Sequence, residues 1–185
     1  MTGSRLPGQL LLVVPAIAIV AADQLSKRWI AGRMPLGARE DVTAWFAWVH
    51  AQNPGASFSF LADSSGWQRW LFIAIAVLFS GWLLRELARL GPQERWPAWG
   101  YALILGGALG NLWDRIEQGA VTDFVLVHWF DRAYFPAFNL ADTAITIGAG
   151  IWIALLVLET LGRGPFAQDH GAAPSGASRE EEPRS

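Results

Sequence analysis

The sequence predicts a membrane all-α four-helix bundle carrying a small β-sheet at one membrane face. Three observations predict it. Hydrophobic residues make up 52% of the 185 positions and charged residues only 16%, too little charge to cover a soluble surface. Four apolar stretches divide the chain, each near the roughly 20 residues that cross a hydrocarbon core of about 30 Å. Between them lie short runs of β-branched and aromatic residues, which favour strands.

The apolar stretches run over about residues 6–22, 67–84, 96–113 and 139–161. In lipid every backbone N–H and C=O must be satisfied within the segment, so helix is the expected form. The first stretch also fits a cleavable signal peptide: Arg5 precedes an apolar core, and Ala16, Ala18, Ala21 and Ala22 follow. Because the rest of the chain is membrane-embedded, a permanent helix is the better reading. Eleven Trp residues are present, and Trp29, Trp67, Trp70, Trp96, Trp99 and Trp113 mark helix ends, where amphipathic rings favour the membrane–water interface. Trp82 and Trp152 fall inside apolar runs and are expected to pack.

An even number of spans puts both termini on one side. Seven basic residues lie on the terminal side (Arg5, Arg85, Arg89, Arg95, Arg163, Arg179, Arg184) and seven on the other (Lys27, Arg28, Arg33, Arg39, Arg69, Arg115, Arg132). Charge therefore leaves orientation open, although the short Arg85–Arg95 loop favours a cytoplasmic place.

The segment from Asp41 to Gln52 carries Val42, Thr43, Trp45, Phe46, Trp48 and Val49, a strand composition. Asn53-Pro54-Gly55 signals a turn. Ser57-Phe58-Ser59-Phe60 alternates as a half-buried strand does, and 121–128 is a further strand candidate. The expected sheet thus spans about 41–60 and 121–128. Residues 1–161 read as one membrane-embedded domain. Residues 162–185 are polar, with a Glu180-Glu181-Glu182 run, and read as a disordered tail.

Several chemistries are disfavoured. The formal net charge of −2 and the lack of a basic stripe give no nucleic-acid partner. Cys is absent, which removes disulfides and thiolate chemistry. His50, His128 and His170 show no close ligand spacing, so no metal or cofactor is expected.

Ionisable residues near membrane spans are costly and are functional candidates. Four Asp qualify. Asp23 has Lys27 four residues on, the spacing of an ion pair at a helix end. Asp114 is followed by Arg115, with Arg132 further on, and structural pairing is the simpler account. Asp123 lies in Val121-Thr122-Asp123-Phe124 with no nearby base; an outward-facing strand residue is the competing reading. Asp142 lies in Phe138-Asn139-Leu140-Ala141-Asp142, where Asn139 as N-cap and Asp142 at N3 also make sense as helix chemistry. Two Asp without local counterions, placed by topology at one membrane face, suggest a dyad. Adjacent carboxylates share a proton: the ionised one takes a proton from water and the protonated one hydrogen-bonds a scissile carbonyl. That is aspartic proteolysis. The helix N-terminus favours charge on Asp142, so Asp123 is expected to hold the resting proton. The rival readings are a cation-coupled transporter, whose acids would sit near the midplane, and a non-catalytic scaffold, which leaves the unpaired Asp unexplained.

Five blocks, in order, resemble lipoprotein signal peptidases (signal peptidase II). Asp23-Gln24-Leu25-Ser26-Lys27 resembles a DQxxK motif. Asn53-Pro54-Gly55-Ala56-Ser57-Phe58 resembles NxGxxF. The run Gly106-Gly107-Ala108-Leu109-Gly110-Asn111-Leu112-Trp113-Asp114-Arg115 resembles GGxxGNxxDR. Val121-Thr122-Asp123-Phe124 and Phe138-Asn139-Leu140-Ala141-Asp142 resemble the blocks that carry the catalytic aspartates. Leu140 and Thr143 stand where Val and Ser are common.

The resemblance implies an aspartic endopeptidase whose substrate is a bacterial prolipoprotein with a diacylglyceryl-modified lipobox Cys, cut on the N-terminal side of that Cys. It implies a multi-pass protein of the bacterial cytoplasmic (inner) membrane, monomeric and in contact with membrane lipid. Both termini would be cytoplasmic and the sheet an extracytoplasmic, periplasmic-side α+β cap. Asp123 and Asp142 would be catalytic. Asn111 and Arg115, four apart, would point to the site from one helix face. Arg115 would anchor the polar network or bind substrate carbonyls, and Asn53, Gly55 and Asn139 would position substrate or the Asp pair. Asp23 and Lys27 would support the site. Asn53 also reads as a turn residue, and Gly107 and Gly110 as helix-packing glycines. Phe58, Phe60 and Trp45 are candidates to clamp the substrate chain.

Overall fold

The computed structural model describes residues 13–55, 66–91 and 93–163. Among these residues four helices and a four-stranded antiparallel sheet follow one another as α1 (Val14–Arg33), β1 (Arg39–Thr43), β2 (Phe46–Asn53), α2 (Trp67–Arg89), α3 (Arg95–Glu117), β3 (Val121–Trp129), β4 (Ala133–Tyr134) and α4 (Leu140–Thr160).

Helix α1 opens with Pro15 in its first turn, where the missing N–H is no loss. The sequence reading ended this helix at residue 22; it continues to Arg33. Asp23 and Lys27 do not break it because they pair with each other and find further partners on α3 and α4. With Ala16 and Ile30 they form its buried face, at successive spacings of seven, four and three residues that share one side of a helix. Residues 6–12 of the expected span lie outside the described residues. The other helices start and stop near the expected bounds, and α2 and α3 run on to Arg89 and Glu117.

Helix α3 packs against each of the other three. Its small residues allow this. Gly106 faces Ala16 and Ile19 of α1, and a Cβ on Gly107 would collide with the Ala141 carbonyl of α4. Near the opposite end Gly100 lies under Trp152, whose ring centroid is 4.4 Å from Tyr101; Trp82 flanks the same tyrosine at 6.0 Å. Trp152 thus packs as expected, whereas Trp82 meets Tyr101 with one side and stays 45% exposed.

The outward faces are apolar. Helices α2 and α4 have the length and mean hydropathy (1.8 and 1.9) of membrane spans. Leu78, Ile153 and Leu156 lie exposed on them. Trp29, Trp67, Trp70, Trp96, Trp99 and Trp113 are all about half exposed or more. A soluble surface rarely carries so much contiguous apolar area.

The sheet runs in the order β1-β2-β3-β4. In β2–β3, Ala51 lies opposite Asp123 and Asn53 opposite Val121, with a register shift between Trp48 and Ala51. Beneath the sheet, Phe124 packs on Ile30 and Met34 at the end of α1. The first strand begins at Arg39 rather than residue 41, and β4 is an addition to the expected sheet. The expected strand Ser57–Phe60 and the tail from residue 164 lie outside the described residues.

Candidate active site

Three elements bring the polar residues together. Strand β3 presents Asp123, the start of α4 presents Asn139 and Asp142, and the last turns of α3 present Asn111 and Arg115. The cavity between them measures about 460 Å³. Asn53, Gly55, Asn111, Arg115, Asp123 and Asp142 line it, with Phe135–Phe138 on one side and Thr143, Thr146 and Ile147 on another.

Asn139 joins the two carboxylates. Its backbone is extended, which ends the loop and opens the helix. Its side-chain Oδ1 accepts from Asp142 N at 2.9 Å, and its own N donates to Asp142 Oδ2 at 3.2 Å, a reciprocal capping box. This leaves Asn139 Nδ2 free to face β3, where it donates to Asp123 Oδ1 at 2.8 Å and to Thr122 O at 3.3 Å. Asn139 is fully buried. The expected helix cap is therefore present, and the same side chain also reaches the second carboxylate at the cavity.

Asn111 joins the pair from behind. Its Nδ2 donates to Asp142 Oδ1 at 2.7 Å, while its Oδ1 accepts from Lys27 Nζ at 3.0 Å and from Asn139 Nδ2 at 3.2 Å. Asn53 Nδ2 approaches Asp123 Oδ2 at 3.4 Å, and Asn53 Oδ1 accepts from Gly55 N at 3.1 Å, so the turn residue also reaches the cavity carboxylate. Arg115 Nη2 donates to Gly55 O at 2.9 Å and its guanidinium lies over the Phe72 ring at 5.0 Å. Its Nε is buried with no acceptor among the described residues.

Asp123 is 3% exposed. Burial, then the adjacent Asp142 carboxylate, push its carboxyl up to about 7, against the hydrogen bonds from Asn139 and Asn53 and the charge of Lys27. The arrangement therefore sets a carboxyl of raised proton affinity beside a second that receives a helix-start N–H and an amide N–H.

Asp23 and Lys27 do not line the cavity. They form the expected ion pair, 2.7 Å apart, one layer behind it. The reading of Asp114 needs correction. Its partner is neither Arg115 nor Arg132 but Lys27, at 2.8 Å. Consecutive helix residues point about 100° apart, so Asp114 faces α1 while Arg115 faces the cavity. Gln24 was not singled out, yet its Nε2 donates to Asp114 Oδ1 at 2.7 Å; its place beside Asp23 in the DQxxK-like block was the available signal. The lining from Phe135 to Phe138 was also missed. Phe138 is tied to β3 by backbone bonds to Phe124 and Val125, which no residue pattern announces. Trp45 lies exposed at the β1–β2 turn and is not among the cavity's lining; Phe58 and Phe60 lie outside the described residues.

Comparison with known proteins gives a consistent picture. Residues 15–158 match the family model described as signal peptidase (SPase) II. The lipoprotein signal peptidase of Pseudomonas syringae pv. tomato is 49% identical over 163 residues, covering 88% of this chain and 94% of the relative. That of Pseudomonas aeruginosa (strain UCBPP-PA14) is 50% identical over 156 residues, covering 84% and 90%. Two solved bacterial membrane enzyme structures, determined by the in meso method at 2.3 and 1.9 Å resolution, superpose with TM-scores of 0.73 and 0.69. Each is 28% identical in sequence; they cover 84% and 80% of this chain and each is itself covered to 92%.

Proposed function

The chain belongs to the signal peptidase II family of membrane aspartic proteases, and from that premise we propose that it removes the signal peptide of diacylglyceryl-modified prolipoproteins with Asp123 and Asp142 as its catalytic dyad. The cut falls on the N-terminal side of the lipid-modified lipobox Cys. The observation that carries the reading is the shared seat of the two carboxylates: both line one cavity and both are held by Asn139.

In the resting enzyme Asp123 holds the proton and Asp142 is ionised. The elevated affinity of Asp123 for its proton supports this, as does the position of Asp142 at the third residue of α4, where the helix dipole favours negative charge. Asp142 takes a proton from a water molecule, whose oxygen bonds to the scissile carbonyl carbon. Asp123 passes its proton to the carbonyl oxygen. The resulting diol collapses: the C–N bond breaks, Asp142 gives its proton to the leaving nitrogen, and a diol hydroxyl returns a proton to Asp123. Water is consumed and both carboxyls recover their starting forms, so no metal or cofactor is required.

Asn53, Gly55 and Arg115 are placed to meet the substrate backbone, because each lines the cavity and Arg115 retains an unpartnered Nε among the described residues. The four helices span the cytoplasmic membrane as a bundle, both termini are cytoplasmic, and the sheet with the cavity lies at the outer face. The test is cleavage of a lipid-modified lipobox peptide by detergent-solubilised protein. Intact peptide with the wild-type chain would sink the reading.

A further inference from the structure

Two carboxylates behind the cavity each hold the backbone N–H one residue before a cavity aspartate. Asp23 Oδ1 accepts from Ala141 N at 2.9 Å, next to Asp142. Asp114 Oδ2 accepts from Thr122 N at 3.0 Å, next to Asp123. The same pattern thus recurs on two elements, α4 and β3.

Lys27 connects them. Its Nζ lies 2.7 Å from Asp23 Oδ2 and 2.8 Å from Asp114 Oδ2. It also donates to Asn111 Oδ1 at 3.0 Å, and Asn111 Nδ2 reaches Asp142 Oδ1. An ammonium has three protons, and here each has an oxygen. Lys27 is 4% exposed and Asp23 is fully buried. A pair whose only task was charge balance would need one carboxylate; this lysine takes two, on different helices, and each leads to a different member of the dyad. Gly110 makes room for the arrangement, since a Cβ there would lie 2.7 Å from Asp23 Oδ2.

We propose that Lys27 is a positioning residue that fixes the separation of Asp123 and Asp142, acting through Asp23 on the backbone before Asp142 and through Asp114 on the backbone before Asp123. The proposal rests on the catalytic reading of that pair. A displacement of about 1 Å in a reacting group lowers turnover by roughly a hundredfold. The loss falls on turnover and not on substrate binding, because Lys27 is set back from the cavity wall.

The experiment uses the detergent-solubilised full chain and the lipid-modified lipobox peptide. Lys27→Met combined with Asp23→Asn keeps an oxygen for Ala141 N and leaves one buried carboxylate, Asp114, without its lysine. Expected is a kcat about 100-fold lower, a KM within about threefold of wild type, and an alkaline limb of the kcat profile moved to higher pH. The limb moves because the Lys27 charge is one of the influences that hold Asp123 down. Wild-type kcat and an unmoved limb would overturn the proposal. Should the double variant not fold, Asp23→Asn and Asp114→Asn singly carry the test. Each keeps the amide's acceptor and loses the charge that Lys27 grips, and each is expected to lower kcat about tenfold or more with KM little changed; wild-type kcat in both overturns the assignment. Asp123→Asn in the same assay separates the two levels. If it is inactive while the Lys27 and carboxylate variants cleave normally, only the positioning role falls. If it cleaves at the wild-type rate, the catalytic reading falls and the positioning role with it.

Discussion

Asn139 Nδ2 sits 2.8 Å from Asp123 Oδ1 at the point where the same asparagine caps the helix that carries Asp142. One fully buried side chain therefore starts α4 and ties it to β3. Capping uses its oxygen and the tie uses its nitrogen, so the two tasks separate by substitution.

Asn139→Asp keeps a cap oxygen, since Asp and Asn are equivalent at that position, but has no donor for Asp123. It also places a third carboxylate beside two others. Cleavage is expected to fall by at least about 100-fold while α4 remains formed. Asn139→Ala loses both tasks. The missing cap costs about 1 kcal/mol, and the donor lost to a buried carboxylate about 1–3 kcal/mol more. Thermal unfolding in detergent, read beside the cleavage rate, checks both. Equal stability of the Asp and Ala variants would remove the capping argument.

Asp123→Asn and Asp142→Asn are each expected to abolish cleavage, by roughly a thousandfold or more, with the protein still folded. Asn preserves shape and an acceptor oxygen in both places. A product assay on the lipid-modified peptide, with folding followed by thermal melt, decides it. Residual activity near wild type in either variant would show that the dyad is misassigned.

The apolar spans were legible because helix in lipid is enforced by backbone hydrogen bonding, and composition alone reveals it. The end of α1 was not. Asp23 and Lys27 read as a boundary in a hydropathy scan, yet Asp23 is met by Lys27 and by the Ala141 N–H of α4, and Lys27 by Asp114 and Asn111 of α3, all but the first more than 80 residues away in sequence, so the helix runs on. For the same reason the pairing of Asp114 was misread: sequence offers its neighbour Arg115, whereas helix geometry turns the two side chains apart. Asp123 and Asp142 stood out because nothing nearby in sequence could neutralise them. Their separation, and the four residues from Phe135 to Phe138 that wall the cavity, depend on how the β3–β4 turn returns the chain along β3, which no local pattern encodes.

Gly110→Ala is expected to be harmful and Gly81→Ala harmless, although both lie within helices. A methyl at Gly110 would sit 2.7 Å from Asp23 Oδ2 and 3.4 Å from Ala141 Cβ, so it is crowded from both α1 and α4. Overpacking of this kind costs about 1–3 kcal/mol, and displacing Asp23 lowers turnover as well. At Gly81 nothing lies within 4 Å, so the change gains up to about 1 kcal/mol through helix propensity. Melting temperatures and cleavage rates of the two variants test the contrast.

Turnover is expected to fall as pH rises through about 7, because Asp123, held up to that value by burial and by Asp142, then loses the proton it must give to the scissile carbonyl. Stability should follow the same group. Asp123 binds its proton more tightly folded than unfolded, where its ordinary value is 3.8. Between those two values the folded chain holds more protons than the unfolded chain, so stability declines with rising pH. The favourable contribution is complete below the ordinary value and is lost as pH passes through about 7. Asp123→Asn has no proton to lose and abolishes this dependence. Its melting temperature, relative to wild type, is therefore expected to rise between pH 5 and pH 8. Parallel melting curves for the two proteins across that range would exclude a buried proton on Asp123, and would move the resting proton to Asp142.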